Sequence, residues 1–246
     1  MISVITPTYD RPQLLPLIYG CFARQTVAEK EWIVVDDSPE PSGFMLSLAD
    51  PRVRYIHLPE RVSTGRKRNM AVEMATGDVI AQFDDDDFYG PAYLETMTRC
   101  MADEGADFCK LASFFLYSRV LDQYAYWETQ QKDGLAFVWS GDAETRIMDL
   151  EQMTEREDIH LGFGFSYVFK RAVWQAGPFA DMFWNQDTPF IKAAMANGFK
   201  ICLVNDNIGI CLHLIHGANV SRSFPQYRIP RRLIPHFFPY FEQTYL

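Results

Sequence analysis

Short apolar runs alternate with helix-like segments through the first hundred residues, and this alternation constrains the fold more than any other feature. Such a pattern is typical of βαβ units, whose strands run parallel and whose helices cover the sheet. The runs predicted to be strands are Ile2–Thr6, Trp32–Val35, Val53–Leu58 and Val79–Phe83. The segments predicted to be helices are Pro12–Gln25, Ser63–Ala75 and Gly90–Met101. We therefore expect an α/β fold with a mainly parallel central sheet and helices on both faces.

The second half of the sequence is less regular. Asp107–Tyr117 predicts a strand, Tyr124–Trp139 a hairpin, and residues 140–159 an acidic, exposed excursion. Further helices and strands are predicted over Lys170–Ala176, Gln186–Asn197, Lys200–Val204 and Ile208–His213. Residues 217–246 are rich in arginine, aromatic residues and proline, which predicts a C-terminal basic and aromatic arm outside the sheet. We expect one domain over residues 1–216, with halves at 1–105 and 106–216.

The composition excludes several classes of protein. The chain has 246 residues, 48% of them hydrophobic and 22% charged, which is typical of a globular protein and not of a disordered one. Its formal net charge of -9 is unsuited to a general nucleic-acid binder, so no nucleic-acid partner is expected. The five cysteines are odd in number and form no C-x-x-C pair, which indicates a reducing compartment and no disulfide framework.

The N-terminal sequence and the hydropathy bear on location. No basic and apolar leader is visible, and no run reaches the roughly 18–20 apolar residues of a membrane span. We expect a cytoplasmic protein. The arm at 217–246 leaves three roles open: self-association into a homo-oligomer, wrapping around the domain, or peripheral docking at the inner membrane face. The first two are favoured over the third.

Polar clusters follow three of the predicted strands. Thr8 and Tyr9 follow the first strand, Asp36 and Asp37 the second, and four aspartates at 84–87 the fourth. Ligands of open parallel sheets bind beyond the carboxyl ends of the strands, so we expect these clusters to converge. For the pair at 36–37, a plain turn before Pro39 is an equal alternative.

The four consecutive aspartates are the strongest single signal. Neighbouring carboxylates repel one another, and a divalent cation removes that cost. Asp84 and Asp86 are two residues apart, so in an extended segment they point the same way. Carboxylates that hold a hard cation beside substrate phosphates are a common Mg²⁺ or Mn²⁺ site. The competing interpretation is a solvated acidic turn.

Three further candidates each have a structural alternative. Arg66 and Arg68 open a helix and suit phosphate oxygens, or they form a solvated helix face. Asp187 enters another helix and is either a general base or an N-cap. His213 and His216 bracket a strand end, and His216 is the better candidate for a metal or phosphate contact.

Five motifs occur in a fixed order over most of residues 1–216. They are Val4–Arg11, Trp32–Ser38, Gly65–Asp78, Phe83–Asp87 and Gly177–Asp187. Their order and spacing resemble those of the family 2 glycosyltransferases, which have the Rossmann-like GT-A fold. The resemblance implies a nucleotide-binding half at 1–105 and an acceptor-binding half at 106–216. It also implies transfer, with inversion, of a sugar from a nucleoside-diphosphate sugar, with a UDP-sugar expected, to a saccharide, lipid-linked or protein acceptor hydroxyl, with Mn²⁺ or Mg²⁺ as cofactor.

The resemblance assigns the chemistry to a few residues. Asp187 would deprotonate the acceptor hydroxyl. Asp86 would be the main metal ligand, with Asp84 in support. His216, in the motif His216–Ser221, would contact the metal or the diphosphate.

The donor would be bound by residues from both the strand ends and the basic helix start. Tyr9 would stack on the nucleobase, Asp37 would bond the base, and Asp85 would bind the ribose. The full predicted donor-binding set is Thr8, Tyr9, Asp36, Asp37, Arg66, Arg68, Asp84 and Asp85.

Two departures keep other functions open. Gln186 stands where the family has Glu, and Asp85 where it commonly has Ser. The first departure leaves room for a nucleotide-sugar binding protein without activity. An aspartyl phosphatase also places D-x-D after a strand, but Phe88 stands where that class has Thr or Val. A nucleotidyltransferase would need a Gly-rich opening loop that this sequence lacks.

The acceptor site is the least defined part of the sequence. Four aromatic residues could form a sugar-stacking wall or belong to the core, with core favoured for the two phenylalanines. These residues are Trp139, Phe163, Phe165 and Trp184.

Overall fold

The strands and helices alternate through the first half and mix in the second. The computed structural model describes residues 1–142, 145–153, 156–217 and 222–245. The strands in these ranges are β1 (Ile2–Thr8), β2 (Lys30–Asp36), β3 (Val53–His57), β4 (Val79–Gln82), β5 (Phe88–Tyr89), β6 (Phe108–Ser118), β7 (Gln123–Glu128), β8 (Leu135–Val138), β9 (Arg146–Asp149), β10 (Val168–Lys170), β11 (Ile201–Asn205), β12 (Cys211–Ile215) and β13 (Tyr227–Ile229). The α-helices are α1 (Leu15–Arg24), α2 (Gly43–Ser47), α3 (Thr64–Met74), α4 (Tyr93–Asp103), α5 (Arg156–Ile159), α6 (Arg171–Ala176), α7 (Asp187–Ala196), α8 (Ile234–Phe237) and α9 (Phe241–Tyr245).

The central sheet is parallel at one end and mixed at the other. Its strand order is β13-β7-β6-β10-β4-β1-β2-β3, with β11 and β12 also paired to β6. β3, β2, β1 and β4 are parallel neighbours, as the βαβ pattern predicts. β10 then runs antiparallel between β4 and β6. The predicted α/β fold is confirmed, and its regular parallel part is these four strands.

Both faces of the parallel strands are covered, which explains why the strands are continuous apolar runs. Val4 of β1 belongs to a core cluster that includes Ile18 of α1 and residues of α4. Its neighbour Ile5 belongs to a second cluster with Val72 of α3 and residues of α7. Because successive strand residues point to opposite faces, the two clusters lie on opposite sides of the sheet.

The N-terminus of α3 is fixed by a cap and by a close backbone approach. The Ser63 side chain accepts a hydrogen bond from the Arg66 N–H at 3.1 Å, which satisfies one of the free donors of the first turn. A side chain on Gly65 would place a Cβ 1.8 Å from the Ala180 carbonyl oxygen. Glycine at 65 therefore lets the loop before α7 pack directly on the start of α3.

Three predictions about the second half are wrong. Tyr124–Trp139 is not a hairpin, because β7 pairs with β6 and β13 while β8 pairs with β9. Residues 140–159 are not wholly exposed, since Leu150 and Met153 are buried. The strand expected over Ile208–His213 begins at Cys211, because the Asp206 carboxylate accepts hydrogen bonds from the backbone N–H groups of residues 208–211 and bends them into a turn.

The C-terminal arm is part of the sheet, which corrects the prediction that it lies outside. β13 pairs antiparallel with β7. Phe238 and Phe241 are buried against Phe88, and Tyr245 packs on the same ring. These aromatic side chains of the arm are therefore part of the core. Among the described helices, none is both long and apolar enough to cross a bilayer.

Candidate functional site

A cleft of about 1360 Å³ opens at the carboxyl ends of β1 and β4. The starts of α3 and α7 border it, so the parallel half and the mixed half of the sheet both contribute walls. This is the edge at which open α/β sheets bind their ligands. Of the predicted site residues, those that line the cleft are Thr8, Tyr9, Arg68, Asp84, Asp85, Asp86 and Asp187.

Three of the four consecutive aspartates form a compact acidic group. Carboxylate oxygens of Asp84, Asp86 and Asp87 all lie within 4.8 Å of one another. Asp85 is not part of this group and accepts hydrogen bonds from Thr8 Oγ1 at 2.6 Å and from Arg11 Nη1 at 2.8 Å. The same Arg11 nitrogen lies 2.7 Å from Asp86 Oδ2. One guanidinium therefore balances part of the charge that the turn accumulates.

The electrostatics of the acidic group differ between neighbours. Burial raises the pKa of Asp84, Arg68 opposes the rise, and the charges of Asp86 and Asp87 add to it. Burial also raises the pKa of Asp85, and the charge of Asp86 adds to this rise. For Asp86 burial acts in the same direction, but a hydrogen bond with His216 and the charge of Arg11 outweigh it and lower its pKa. The group is crowded with negative charge, which a bound cation would relieve.

Two histidines, His213 in β12 and His216 directly after it, contact the acidic group. His216 Nε2 lies 2.9 Å from Asp86 Oδ2, so the predicted metal residues Asp86 and His216 are in contact. His213 Nδ1 lies 2.9 Å from Asp87 Oδ1, and the Leu214 N–H donates to the same oxygen at 2.8 Å. Asp87 is fully buried and holds β12 in place. The motif His216–Ser221 continues into residues 218–221, which lie outside the described residues.

The donor set fits a hard divalent cation. Asp84 and Asp86 line the cleft, whereas the Asp87 carboxylate is turned toward His213 and the backbone. Asp84 and Asp86 thus present two carboxylates to the cleft, and His216 contacts Asp86. Mg²⁺ and Mn²⁺ favour carboxylate oxygens combined with substrate phosphates, and this arrangement leaves open space for the phosphates.

Lys67 links two of the predicted strand ends. Its ammonium donates to the Thr8 carbonyl at 2.8 Å and to Asp37 Oδ1 at 2.5 Å. The other oxygen of Asp37 accepts from the Val62 N–H at 2.8 Å. Asp37 is buried and is not among the described residues that line the cleft, whereas its lysine partner lines it.

Asp36 and Arg66 are placed away from the described cleft lining. Asp36 accepts hydrogen bonds from Tyr55 OH at 2.6 Å and from the Ser38 N–H at 2.9 Å, so it closes the turn after β2. Arg66 is exposed in the first turn of α3. Both positions are those of the structural alternatives, a turn residue and a solvated helix face.

Asp187 is the first residue of α7, and Gln186 occupies the N-cap position. Among the described contacts, the Asp187 carboxylate makes no helix-capping hydrogen bond. Asp187 instead lines the cleft. Oδ1 pairs with Arg68 Nη1, and Oδ2 accepts the Gly164 N–H at 3.2 Å. Arg68 Nη2 lies 3.3 Å from Asp84 Oδ1. Arg68 thus connects the predicted base with the acidic group.

Aromatic residues are divided between the mouth of the cleft and the core. The Arg61 guanidinium lies 3.9 Å from the centre of the Tyr9 ring and 5.5 Å from that of Phe183. Trp184 lines the cleft and is 65% exposed, and Phe163 lines it as well. Trp139 belongs to the core, so it cannot form part of a sugar-stacking wall.

Phe165 is buried but is one of the residues that line the cleft, and it stacks on His213 with ring centroids 4.6 Å apart. Arg11, Lys67 and Arg61 were not predicted as individual site residues, and His213 was ranked below His216. Each lies within or beside a polar strand end or a basic segment, but its role depends on a partner more than 25 residues away. Such pairings carry no local sequence signal.

Relatives of known sequence match much of this chain. The uncharacterized glycosyltransferase YwdF of Bacillus subtilis (strain 168) is 34% identical over 189 residues, which are 70% of this chain and 68% of YwdF. Glycosyltransferase GlyG of Streptococcus pneumoniae serotype 4 is 28% identical over 137 residues, 53% of this chain and 44% of GlyG. The chain spans 31% to 68% of the length of the curated relatives that it matches.

Solved structures share the fold at low sequence identity. S. aureus TarS 1–349, in complex with UDP-GlcNAc, has a TM-score of 0.65 and 17% identity over 89% of this chain and 59% of TarS. The mannosyltransferase PcManGT from Pyrobaculum calidifontis, in complex with GDP-Man and Mn²⁺, has a TM-score of 0.60 and 16% identity over 86% of this chain and 56% of PcManGT. These similarities confirm the GT-A fold. The profile of Glycosyl transferase family 2 matches residues 3–173, and the chain therefore belongs to this family.

Proposed function

We propose that the cleft binds a nucleoside-diphosphate sugar, a UDP-sugar by preference, and transfers its sugar to an acceptor hydroxyl with inversion at the anomeric carbon. The observation that carries this proposal is the position of Arg68. It pairs with Asp187 on one side and with Asp84 on the other, so a candidate base and a candidate cation site face the same space. Family membership and donors bound by TarS and PcManGT support the same reaction class.

The chain's own residues would divide the work as follows. Asp187 would accept the proton of the acceptor hydroxyl while that oxygen attacks the anomeric carbon, and general-base help of this kind is typically worth about 10²–10⁴-fold. Arg68 and the Gly164 N–H hold the carboxylate in place. A base on the face opposite the leaving group permits one in-line displacement without a glycosyl-enzyme.

The leaving diphosphate would lie beside the acidic group. Asp84, Asp86 and His216 would hold a divalent cation, which as a Lewis acid stabilises the negative charge that develops on the diphosphate. Tyr9, at the end of β1, offers a ring for the nucleobase at the mouth of the cleft. Lys67 braces the turn around Thr8 from behind.

A donor panel tests the proposal directly. Purified protein with Mn²⁺ is incubated with UDP-glucose, UDP-galactose, UDP-GlcNAc and GDP-mannose, and the free nucleoside diphosphate is measured without an acceptor. We expect slow hydrolysis of one donor, because water replaces the acceptor hydroxyl. A protein that binds a donor tightly but hydrolyses none of the panel would instead be a binding protein without transferase activity.

A further inference from the structure

A second cavity lies beside the cleft, on the side away from the parallel strands. Its volume is about 440 Å³, which is within the range of small-ligand sites. It is lined by the end of β7, the segment that follows it, and residues of the excursion and the arm. The lining residues are Trp127, Thr129, Gln130, Gln131, Lys132, Leu150, Met153, Ile159, His160 and Phe224.

This cavity continues the cleft. Ile159 and Phe224 line both spaces, so the two share part of one wall. A second contact links them across the same wall, since Phe163 of the cleft meets Trp127 of the cavity edge to face, with centroids 4.8 Å apart. The cavity therefore adjoins the cleft across one shared wall.

The segment from Ile159 to Gly164, which we call the ridge, borders both spaces and contacts the predicted base. Lys110, fully buried in β6, donates a hydrogen bond to the His160 carbonyl and holds the ridge from below. Phe163 has a φ of 65°, a left-handed conformation that is costly for a bulky residue. The next residue, Gly164, donates its N–H to Asp187 at 3.2 Å. The ridge thus fixes both the base and the entrance of the cavity.

The lining offers polar groups to a sugar. Trp127 and Phe224 border the cavity, but each is only 2% exposed and belongs to the core, so they close it with apolar surface and do not form a stacking platform. Gln130 and Lys132 are exposed at the rim, and their side chains offer an amide and an ammonium to ring hydroxyls. His160 adds a half-buried imidazole. Five of the ten described lining residues carry polar or charged side chains, which suits a ligand rich in hydroxyl groups.

We propose that this cavity binds the sugar residue next to the one that receives the transferred sugar, so that the acceptor is an oligosaccharide or the end of a polysaccharide. This inference rests on the proposed function. It predicts that an acceptor of one sugar unit occupies only the cleft, whereas an acceptor of two or more units fills both spaces.

Two of the five tryptophans allow a direct test, because one lines the cleft and another lines the cavity. Trp184 lines the cleft and Trp127 the cavity. Protein labelled with 5-fluorotryptophan, with UDP and Mn²⁺ present, is titrated with gluco-, manno- and N-acetylglucosamine saccharides of one to four units. The ¹⁹F signals are assigned with single Trp-to-Phe variants. We expect monosaccharides to shift only the Trp184 signal, and the matching disaccharide to shift both signals and to bind about tenfold more tightly.

A blocked cavity is the control within the same experiment. Gln130→Tyr fills the rim, and Gln175→Tyr places the same side chain at an exposed glutamine of α6 away from both spaces. The first should abolish the Trp127 shift and the gain from the second sugar, and the second should change neither. The inference is overturned if longer saccharides move only Trp184, if neither signal moves, or if Gln130→Tyr leaves the Trp127 shift intact. Donor hydrolysis, measured on the same samples, reports separately on the proposed function.

Discussion

Arg68 is the residue on which the geometry of the cleft depends most. Its side chain is 3% exposed, and its two terminal nitrogens pair with Asp187 and Asp84. The guanidinium also lies 5.6 Å from the centre of the Phe179 ring. A planar fork that serves two carboxylates at once cannot be replaced by a lysine without loss of one contact. Arg68 therefore sets the distance between the candidate base and the acidic group.

The role of Asp187 leads to the first prediction. Asp187→Asn keeps the size of the side chain and an oxygen for the Gly164 N–H, but removes the ability to take a proton. We expect turnover to fall about 10²–10⁴-fold while the affinity for UDP in Mn²⁺ stays within about twofold. Steady-state kinetics and calorimetry measure the two quantities. Near-normal turnover would remove Asp187 from the mechanism.

Glu31 shows how a buried carboxylate far from the cleft stabilises the fold. Burial raises the pKa of Glu31, but hydrogen bonds from Ser3 Oγ and the Thr76 N–H, both at 2.6 Å, and the charge of Arg54 outweigh burial and hold the pKa below its usual value. A carboxylate whose folded-state pKa is lowered stabilises the fold above its unfolded-state pKa. That contribution is lost as the pH falls through the folded-state pKa.

The second prediction follows from this sign. Glu31→Gln should lower the free energy of unfolding by about 1–3 kcal/mol at neutral pH, because buried donors lose a charged acceptor. The difference from the wild type should shrink as the pH falls below the ordinary glutamate value of 4.5. Urea unfolding at a series of pH values measures it. The exposed Glu29→Gln is the control, and a difference that grows in acid would contradict the account.

At the scale of elements, the turn before β10 packs against the first residue of α7. Phe163 is left-handed, and a side chain at Gly164 would place a Cβ 2.1 Å from Asp187 Oδ1. The turn and the first residue of α7 therefore fit together only with glycine at 164. A displacement of a catalytic group by about 1 Å can lower the rate about 10²-fold.

The third prediction uses this fit. Gly164→Ala should push the Asp187 carboxylate away and lower turnover about 10–100-fold, with the affinity for UDP unchanged. Gly177→Ala is the matched control, because its Cβ would meet the Ala193 Cβ at an ordinary 3.5 Å. Equal turnover in the two variants would show that the turn does not position the base.

The sequence predicts some elements of this fold and not others, for physical reasons. β1, β2 and β4 are local apolar runs that end in polar turns, so both their existence and the position of the acidic turn can be predicted. β10 has three residues and lies between β4 and β6, which are far from it along the chain. Its insertion depends on long-range pairing, and the same holds for β13 on β7.

The same distinction applies to the site. Thr8, Asp85 and Asp86 lie at strand ends and could be predicted from the sequence alone. The partners that orient them, such as Arg11 and His213, come from other segments. Arg11 is 75 residues from Asp86 along the chain, and His213 is 126 residues from Asp87. Only the folded structure shows which arginine or histidine side chain faces which carboxylate.

On the scale of the whole molecule, the C-terminal arm closes the core. Phe241 is fully buried and meets the rings of Phe88, Tyr117 and Tyr245 at centroid distances of 5.3 to 5.6 Å. Tyr245 OH lies 3.1 Å from Cys21 Sγ of α1, which is 224 residues earlier in the sequence. The wrapping role predicted as one of three for this arm is the one that these contacts favour.

The fourth prediction measures how much the arm stabilises the domain. Phe241→Ala should lower the free energy of unfolding by about 3–5 kcal/mol, as large-to-small changes of buried aromatic residues do. Leu233→Ala, at a residue of the arm that is 43% exposed, should cost far less. Urea denaturation compares the two. Equal losses would mean that the arm is not part of the cooperative unit.

The central claim is that Asp84 and Asp86, in the turn after β4, hold a cation that binds the diphosphate of the donor. Calorimetric titration of UDP into the wild type and into Asp86→Ala, with and without Mn²⁺, tests it most directly. We predict that Mn²⁺ strengthens UDP binding to the wild type at least about tenfold and has no effect on the variant. Affinity that is the same in all four titrations would contradict the account.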